Sequence, residues 1–133
     1  MTDDELISAA FAALEHSYSP YSSFRVGAAL LDTEGRVHPG ANIENASYGL
    51  TICAERVAVG LARMAGMTGI STIAVVTDHP HLTAPCGACR QVIREFGPEA
   101  RILLANRDGA RRVFTLGDLL PESFGPEDLG KEP

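Results

Sequence analysis

The chain has 133 residues, 45% of them hydrophobic, and a formal net charge of −6. That supplies the core of one domain and gives no reason to expect a second. The acidic balance argues against a nucleic-acid partner, because nonspecific binding to phosphates rests on Lys and Arg.

Nothing at the N-terminus has a basic region followed by an apolar core. No apolar run approaches the ~20 residues a bilayer-spanning helix needs, so no membrane partner is expected and the expected setting is the cytoplasm. Three cysteines cannot all pair within the chain, which suits a reducing compartment.

Thr2 and Glu5 form a capping-box pattern. Leu6, Ile7, Ala10, Phe11 and Leu14 then recur at helical spacing, which predicts an amphipathic helix over 3–17. Ser19-Pro20-Tyr21-Ser22 breaks it. Residues 24–31 read as a strand buried along its second half, 32–35 as a turn, and 36–42 as an antiparallel strand that Pro39-Gly40 weakens near its end. A loop over 43–52 leads to a helix from Cys53 to about Ala65, stopped by Gly66.

Residues 71–77 form an apolar strand, followed by the polar loop Asp78-His79-Pro80-His81. A third helix opens at Pro85-Cys86 and closes at Gly97-Pro98. Strands over 101–106 and 111–114 read as a hairpin around the tight turn Arg107-Asp108-Gly109, and 116–120 as a helical turn. The tail, with Pro121, Pro126 and Pro133, is aperiodic, and Phe124 and Leu129 are its candidate anchors. The expected class is α/β: a three-layer α/β/α sandwich around a mixed five-stranded sheet.

Two of these helices open with cysteine, and ligands in such sheets gather where helix N-termini follow strand ends. Cys86 and Cys89 in Pro85-Cys86-Gly87-Ala88-Cys89-Arg90 are spaced to converge on one point. That spacing alone serves zinc and thiol redox chemistry equally. Cys53, followed by Ala54 and Glu55, supplies a third sulfur and a carboxylate. Catalytic zinc keeps three protein ligands and leaves a position for water, and Glu55, two residues from a ligand, is the natural proton shuttle.

Three thiolates leave the site with a net charge of −1. Helix N-termini offer partial positive charge and amide donors, and Arg56 and Arg90, each following its motif, are candidates to hydrogen-bond the sulfurs. Two other readings remain from these residues: a redox Cys-x-x-Cys, which leaves Cys53 and Glu55 unexplained, and a structural zinc completed by His79 or His81. No partner is identifiable for His16 or His38.

The pairing of Cys53-Ala54-Glu55 with Pro85-Cys86-Gly87-Ala88-Cys89 resembles the signature of the zinc-dependent nucleoside and nucleobase deaminases. More narrowly, the chain resembles the small homotetrameric cytidine deaminases almost from end to end. The stretches that carry this are Tyr18-Ser19-Pro20-Tyr21-Ser22, Phe24-Arg25-Val26-Gly27-Ala28-Ala29-Leu30, Asn42-Ile43-Glu44-Asn45, Cys53-Ala54-Glu55-Arg56 and Cys86-Gly87-Ala88-Cys89-Arg90-Gln91.

The resemblance implies one zinc ion per subunit and hydrolytic deamination of cytidine and 2'-deoxycytidine to the uridines, with release of ammonia. It implies that Asn42 and Glu44 bind the ribose 3'-hydroxyl, that Phe24 packs against the nucleoside, and that backbone around Ala54 holds the base. It also implies a homotetramer in which Ala46, Tyr48 and Phe124 reach a neighbouring subunit's site. Two alternatives stand beside it: deamination of another aminopyrimidine nucleoside, such as a nucleoside antibiotic, and a noncatalytic structural-zinc module. A reader of the 3'-hydroxyl disfavours a polynucleotide substrate, in which that group is blocked.

Overall fold

Side-chain alternation along the central strands divides the core in two in the computed structural model, which describes residues 1–131. Ala28, Leu30, Ile73, Val75, Ile102 and Leu104 join one buried cluster, and Ala29, Ala74, Val76, Leu103 and Ala105 join the other. Neighbouring residues on one strand thus serve opposite faces, as period two demands. Helix α1 (Asp3–Leu14) covers the second cluster with Leu6, Ala10 and Leu14. Helices α2 (Ala54–Met64) and α3 (Gly87–Phe96) cover the first through Ala58, Ala62 and Ile93. The result is the expected three-layer α/β/α sandwich.

The strands β1 (Val26–Asp32), β2 (Val37–Ala41), β3 (Ile70–Thr77), β4 (Arg101–Ala105) and β5 (Arg111–Thr115) lie in the order β2-β1-β3-β4-β5. Strand β1 is antiparallel to both β2 and β3, β3 is parallel to β4, and β4 is antiparallel to β5. It follows that β2 and β3 point the same way on either side of β1. Helix α2 follows β2 and α3 follows β3, so both helix N-termini arrive at one end of the sheet.

Several boundaries differ from the sequence reading. Helix α1 stops at Leu14, short of residue 17, because the next residues are drawn elsewhere: Ser17 Oγ donates to Asn42 Oδ1 (2.5 Å) and Tyr18 N–H to Asn42 O (2.9 Å). Strand β1 begins at Val26, two residues later than expected. Ahead of it Ser23 adopts a left-handed φ of 58°, and the Asn42 side chain takes the place of a strand partner, accepting from Val26 N–H (3.0 Å) and donating to Phe24 O (2.8 Å). Pro39 does not break β2, since an edge strand has one neighbour and tolerates a missing donor.

The β4–β5 connection is wider than the tight turn expected. Asn106 N–H reaches Ala110 O (3.2 Å), and Asn106 Oδ1 accepts from the N–H groups of Asp108 and Ala110, both at 3.0 Å. Helix α4 (Leu116–Leu119) carries a Thr115 capping box.

Phe124 and Leu129 do not anchor the tail by burial, as both side chains stay exposed. Polar contacts with α3 hold it instead: Arg94 Nε donates to Ser123 Oγ (2.9 Å), Arg94 Nη2 to Glu127 Oε1 (2.8 Å) and Gln91 Nε2 to Phe124 O (2.9 Å). Pro133 lies outside the described residues.

His38 has a partner after all. Buried on β2, it places Nε2 2.9 Å from Asp32 Oδ2, and Arg36 Nε adds a hydrogen bond to the same oxygen at 3.1 Å. Burial alone pushes the Asp32 carboxyl up, but hydrogen bonds from His38 and from the Arg36 and Glu34 amides outweigh it and bring the group down to about 2. Arg36 Nη1 also donates to Ala65 O just beyond α2 (2.9 Å), tying the β1–β2 turn to that helix.

Gly40 sets how closely α2 approaches the sheet. A Cβ there would lie 2.3 Å from Ala54 O and 2.6 Å from Ala58 N, both backbone atoms of α2. Gly40→Ala is therefore expected to push the start of α2 outward and cost about 1–3 kcal/mol, the usual range for overpacking. Urea unfolding of the variant should show a lower midpoint at unchanged slope.

Candidate active site

Cys53 and Cys86 are the N-cap residues of α2 and α3, both in extended conformation, and Cys89 follows within the first turn of α3. Because both helices start at the same end of the sheet, the three sulfurs meet. Cys53 Sγ lies 3.9 Å from Cys86 Sγ, Cys86 Sγ lies 3.5 Å from Cys89 Sγ, and all three fall within 4.8 Å of one another. Four sulfurs at tetrahedral Zn–S distances of about 2.3 Å would stand about 3.8 Å apart. The three sulfurs fit that triangle and are positioned to hold a metal ion. Among the described residues no histidine joins the group, so neither His79 nor His81 closes it as a fourth ligand.

The charges are distributed unevenly. Hydrogen bonding from Cys89 is the largest influence on Cys53 and, with Arg56 Nη2 at 3.6 Å from its sulfur, brings that thiol down to about 5. Cys89 moves the opposite way: its hydrogen bond to Cys53 and its burial hold it protonated in the metal-free chain. Arg56 therefore takes the expected place beside a thiolate. Its Nε is buried without a partner among the described residues. The helix amides do not bond the capping sulfurs, since neither cap makes a side-chain hydrogen bond; the helix starts contribute through their partial charge alone.

Glu55, in the first turn of α2, is 4% exposed. Burial, reinforced by the neighbouring Cys53 thiolate and opposed by its own backbone N–H, pushes it up to about 7. A cavity of about 280 Å³ opens onto it, and the same cavity is lined by Phe24, Asn42, Glu44, Cys53, Ala54 and Cys86. One pocket thus holds a buried carboxylate, two of the sulfurs, an aromatic ring and an amide–carboxylate pair.

The profile of the cytidine and deoxycytidylate deaminase zinc-binding region matches residues 1–105. The chain belongs to that family. It is 50% identical over 125 residues to the cytidine deaminase of Halalkalibacterium halodurans, a span covering 93% of this chain and 95% of that protein. The crystal structure of cytidine deaminase from Burkholderia pseudomallei superposes with a TM-score of 0.90 at 51% identity, over 93% of this chain and all of that one. That of Mycobacterium tuberculosis gives 0.82 at 42% identity, over 94% and 99%. Membership makes the chain a zinc-dependent hydrolase of the deaminase type, with Cys53, Cys86 and Cys89 positioned to hold the ion.

Asn42 and Glu44 are both held in place by hydrogen bonds. Asn42 is buried, its Oδ1 shared by Ser17 Oγ and Val26 N–H, its Nδ2 donating to Phe24 O. That leaves one N–H of its amide for a ligand. Glu44 accepts from the Tyr21 and Ser22 amides, at 2.9 and 3.1 Å, and from the Ser22 hydroxyl. The Ser22 hydroxyl does most to lower its pKa, with both amides adding to the effect. These anchors, Ser17 and Ser22, escaped the sequence reading; only the serine-rich break after α1 pointed their way.

Arg90 departs from expectation. Its Nε donates to Pro85 O (2.8 Å) and its Nη1 to Leu119 O (2.7 Å), so it ties the approach to α3 onto α4 in place of bonding a thiolate. Ala46 and Tyr48 are exposed, and Tyr48 faces Tyr21 with ring centroids 5.9 Å apart beside a second cavity shared with Glu44 and Thr51. Phe124 lines a cavity on the outer side of α3 with Gln91 and Glu95, away from the chain's own sulfurs. Thr83 and Ala84, just ahead of Pro85, also line the central pocket and carried no sequence signal of their own.

Replacing any one of the three cysteines by Ala leaves two sulfurs, too few for a tight tetrahedral site. Metal analysis after gel filtration should find one zinc per wild-type chain and a content falling well below one in each variant.

Proposed function

We propose that the chain catalyses hydrolytic deamination of cytidine and 2'-deoxycytidine to uridine and 2'-deoxyuridine, releasing ammonia. The observation that carries this is the single pocket joining Glu55 and the sulfur triangle to the Phe24, Asn42 and Glu44 wall. Family membership and the names of relatives at up to about half identity support it.

Zinc held by Cys53, Cys86 and Cys89 supplies Lewis acidity that makes a water far more acidic at neutral pH. Glu55 does the proton work. It takes a proton from the attacking water and delivers it to N3 of the pyrimidine as the C4–O bond forms. It then carries the second water proton to the exocyclic nitrogen as the C4–N bond breaks, so ammonia leaves and the N3 proton stays in the uracil product. One carboxylate acts first as base and then as acid. Arg56, on the Cys53 sulfur, offsets part of the excess thiolate charge.

Phe24 covers the flat base, while the free N–H of Asn42 and the Glu44 carboxylate read the ribose 3'-hydroxyl as acceptor and donor together. Backbone around Ala54 holds the base from the other side. We read the partner as a free pyrimidine nucleoside, in pyrimidine salvage, and not a polynucleotide. The exposed positions of Tyr48 and Phe124 support a homotetramer in which Ala46, Tyr48 and Phe124 complete a neighbour's site. Three free cysteines support the cytoplasm as its setting.

Glu55→Gln keeps the shape of the pocket and loses the proton shuttle. Zinc content should stay at one per chain while kcat on cytidine falls at least 10²-fold, roughly the lower end of what general acid–base catalysis contributes. Activity indifferent to Glu55 would remove the mechanism and favour the noncatalytic zinc module.

Asn42→Ala separates nucleoside from nucleobase recognition. The variant should show a KM for cytidine raised by about tenfold or more, as expected when a hydrogen bond worth about 1.5 kcal/mol is lost. Wild-type enzyme should be far poorer on cytosine, and equal rates on the two would sink the assignment of this pair to the ribose.

A further inference from the structure

Strand β3 ends at Thr77, and the chain must cross from there to Cys86. The first three residues of that crossing are pinned on three sides. Asp78 Oδ2 accepts from Arg25 Nε (2.8 Å) and Oδ1 from Arg107 Nε (3.0 Å). His79 N–H donates to Thr77 Oγ1 (3.3 Å), and Pro80 O accepts from Asn106 Nδ2 (2.6 Å). With the backbone so fixed, the His79 imidazole stacks on the Phe24 ring, with centroids 4.5 Å apart and planes 26° from parallel.

Two ion-paired neighbours set this register. Arg25 follows Phe24 and Asp78 precedes His79, so their contact at 2.8 Å draws the two rings together from adjacent positions. Phe24 is further held by its backbone: its N–H donates to Ser22 Oγ (3.0 Å) and its carbonyl accepts from Asn42 (2.8 Å). Those bonds fix the Cα position but leave the ring torsions free. The ring itself lines the pocket at only partial burial. The aromatic contact on that ring is the His79 stack.

We infer that His79 is a positioning residue for the deamination, holding the Phe24 ring in the orientation in which it covers the pyrimidine. The inference rests on the nucleoside deaminase reading. Its physical content is preorganisation: a ring already ordered in the free enzyme loses no rotamer entropy when the base arrives. His79 touches neither the sulfurs nor Glu55 by any contact in the structure, so its removal acts on binding and leaves the chemical step intact.

Steady-state kinetics on cytidine with zinc-loaded enzyme test this, using the wild type, His79→Ala, His79→Phe, Phe24→Ala and the Phe24→Ala/His79→Ala double variant. His79→Ala should raise KM about 2- to 12-fold, the span an aromatic pair contributes, with kcat within about twofold and zinc content unchanged. His79→Phe, which keeps a flat ring, should restore KM. In the Phe24→Ala background the His79→Ala change should have no further effect, because the ring it orients is gone.

An unchanged KM in His79→Ala overturns the inference, as does failure of His79→Phe to restore it, or an equal KM increase with and without Phe24. Any of these in an enzyme that still deaminates cytidine leaves the functional reading standing. A wild type without cytidine turnover overturns both.

Discussion

Three sulfurs from two distant stretches of chain have to meet within one zinc-sized triangle, and the topology of the sheet is what satisfies that constraint. Strands β2 and β3 flank β1 and point the same way, so the helices that follow them begin side by side. Each helix start carries a cysteine at its cap, where extended backbone turns the side chain away from the helix axis and toward its neighbour. The same geometry brings Phe24 from the approach to β1 and Asn42 from the end of β2 to one rim. Gly40 matters for this reason: it lets α2 sit against β2 closely enough for Cys53 to stay in reach.

Convergence of three thiols has an electrostatic consequence that shapes their surroundings. Without metal, Cys89 and Arg56 beside the Cys53 sulfur favour negative charge there, while the contact with Cys53 and its own burial favour the protonated form of Cys89. Binding zinc replaces that proton, so metal affinity is coupled to pH and to the Arg56 contact. Glu55 sits within the same low-dielectric pocket, and its burial and the nearby thiolate both favour its protonated form. A carboxylate in such a place titrates near the range where it can both accept and return a proton.

What the sequence disclosed and what it withheld separate along a physical line. The cysteine caps, Glu55 and the buried strand alternation were legible because short-range spacing dictates them: one helical turn carries Cys86 and Cys89 to one side, and period two splits Ala28 from Ala29. Arg90 was misread because proximity in sequence to a ligand does not decide where a long guanidinium points. The carbonyls of Pro85 and Leu119 were better partners, and Leu119 is distant in sequence. His38 found Asp32 across a hairpin, and His79 found Phe24 across two loops; contacts of this kind depend on register and loop path, which no local pattern encodes. The end of α1 was overestimated for the same reason, since Ser17 continues a helical pattern yet is claimed by Asn42.

Asn42 shows how tightly the pocket rim is tied into the fold. Its amide stands in for a strand residue, closing the backbone of Phe24 and Val26 while Ser17 saturates its remaining acceptor capacity. The irregular segment between α1 and β1 has few ladder hydrogen bonds of its own, so Asn42 and Glu44 supply them from the other side: Glu44 takes the amides of Tyr21 and Ser22. The two residues that line the pocket rim thus also order the segment that bears Phe24. Groups held on so many sides have little freedom left to lose, so the rim is already ordered in the free chain and favours ligands that match its fixed shape over ones that would need it to adjust.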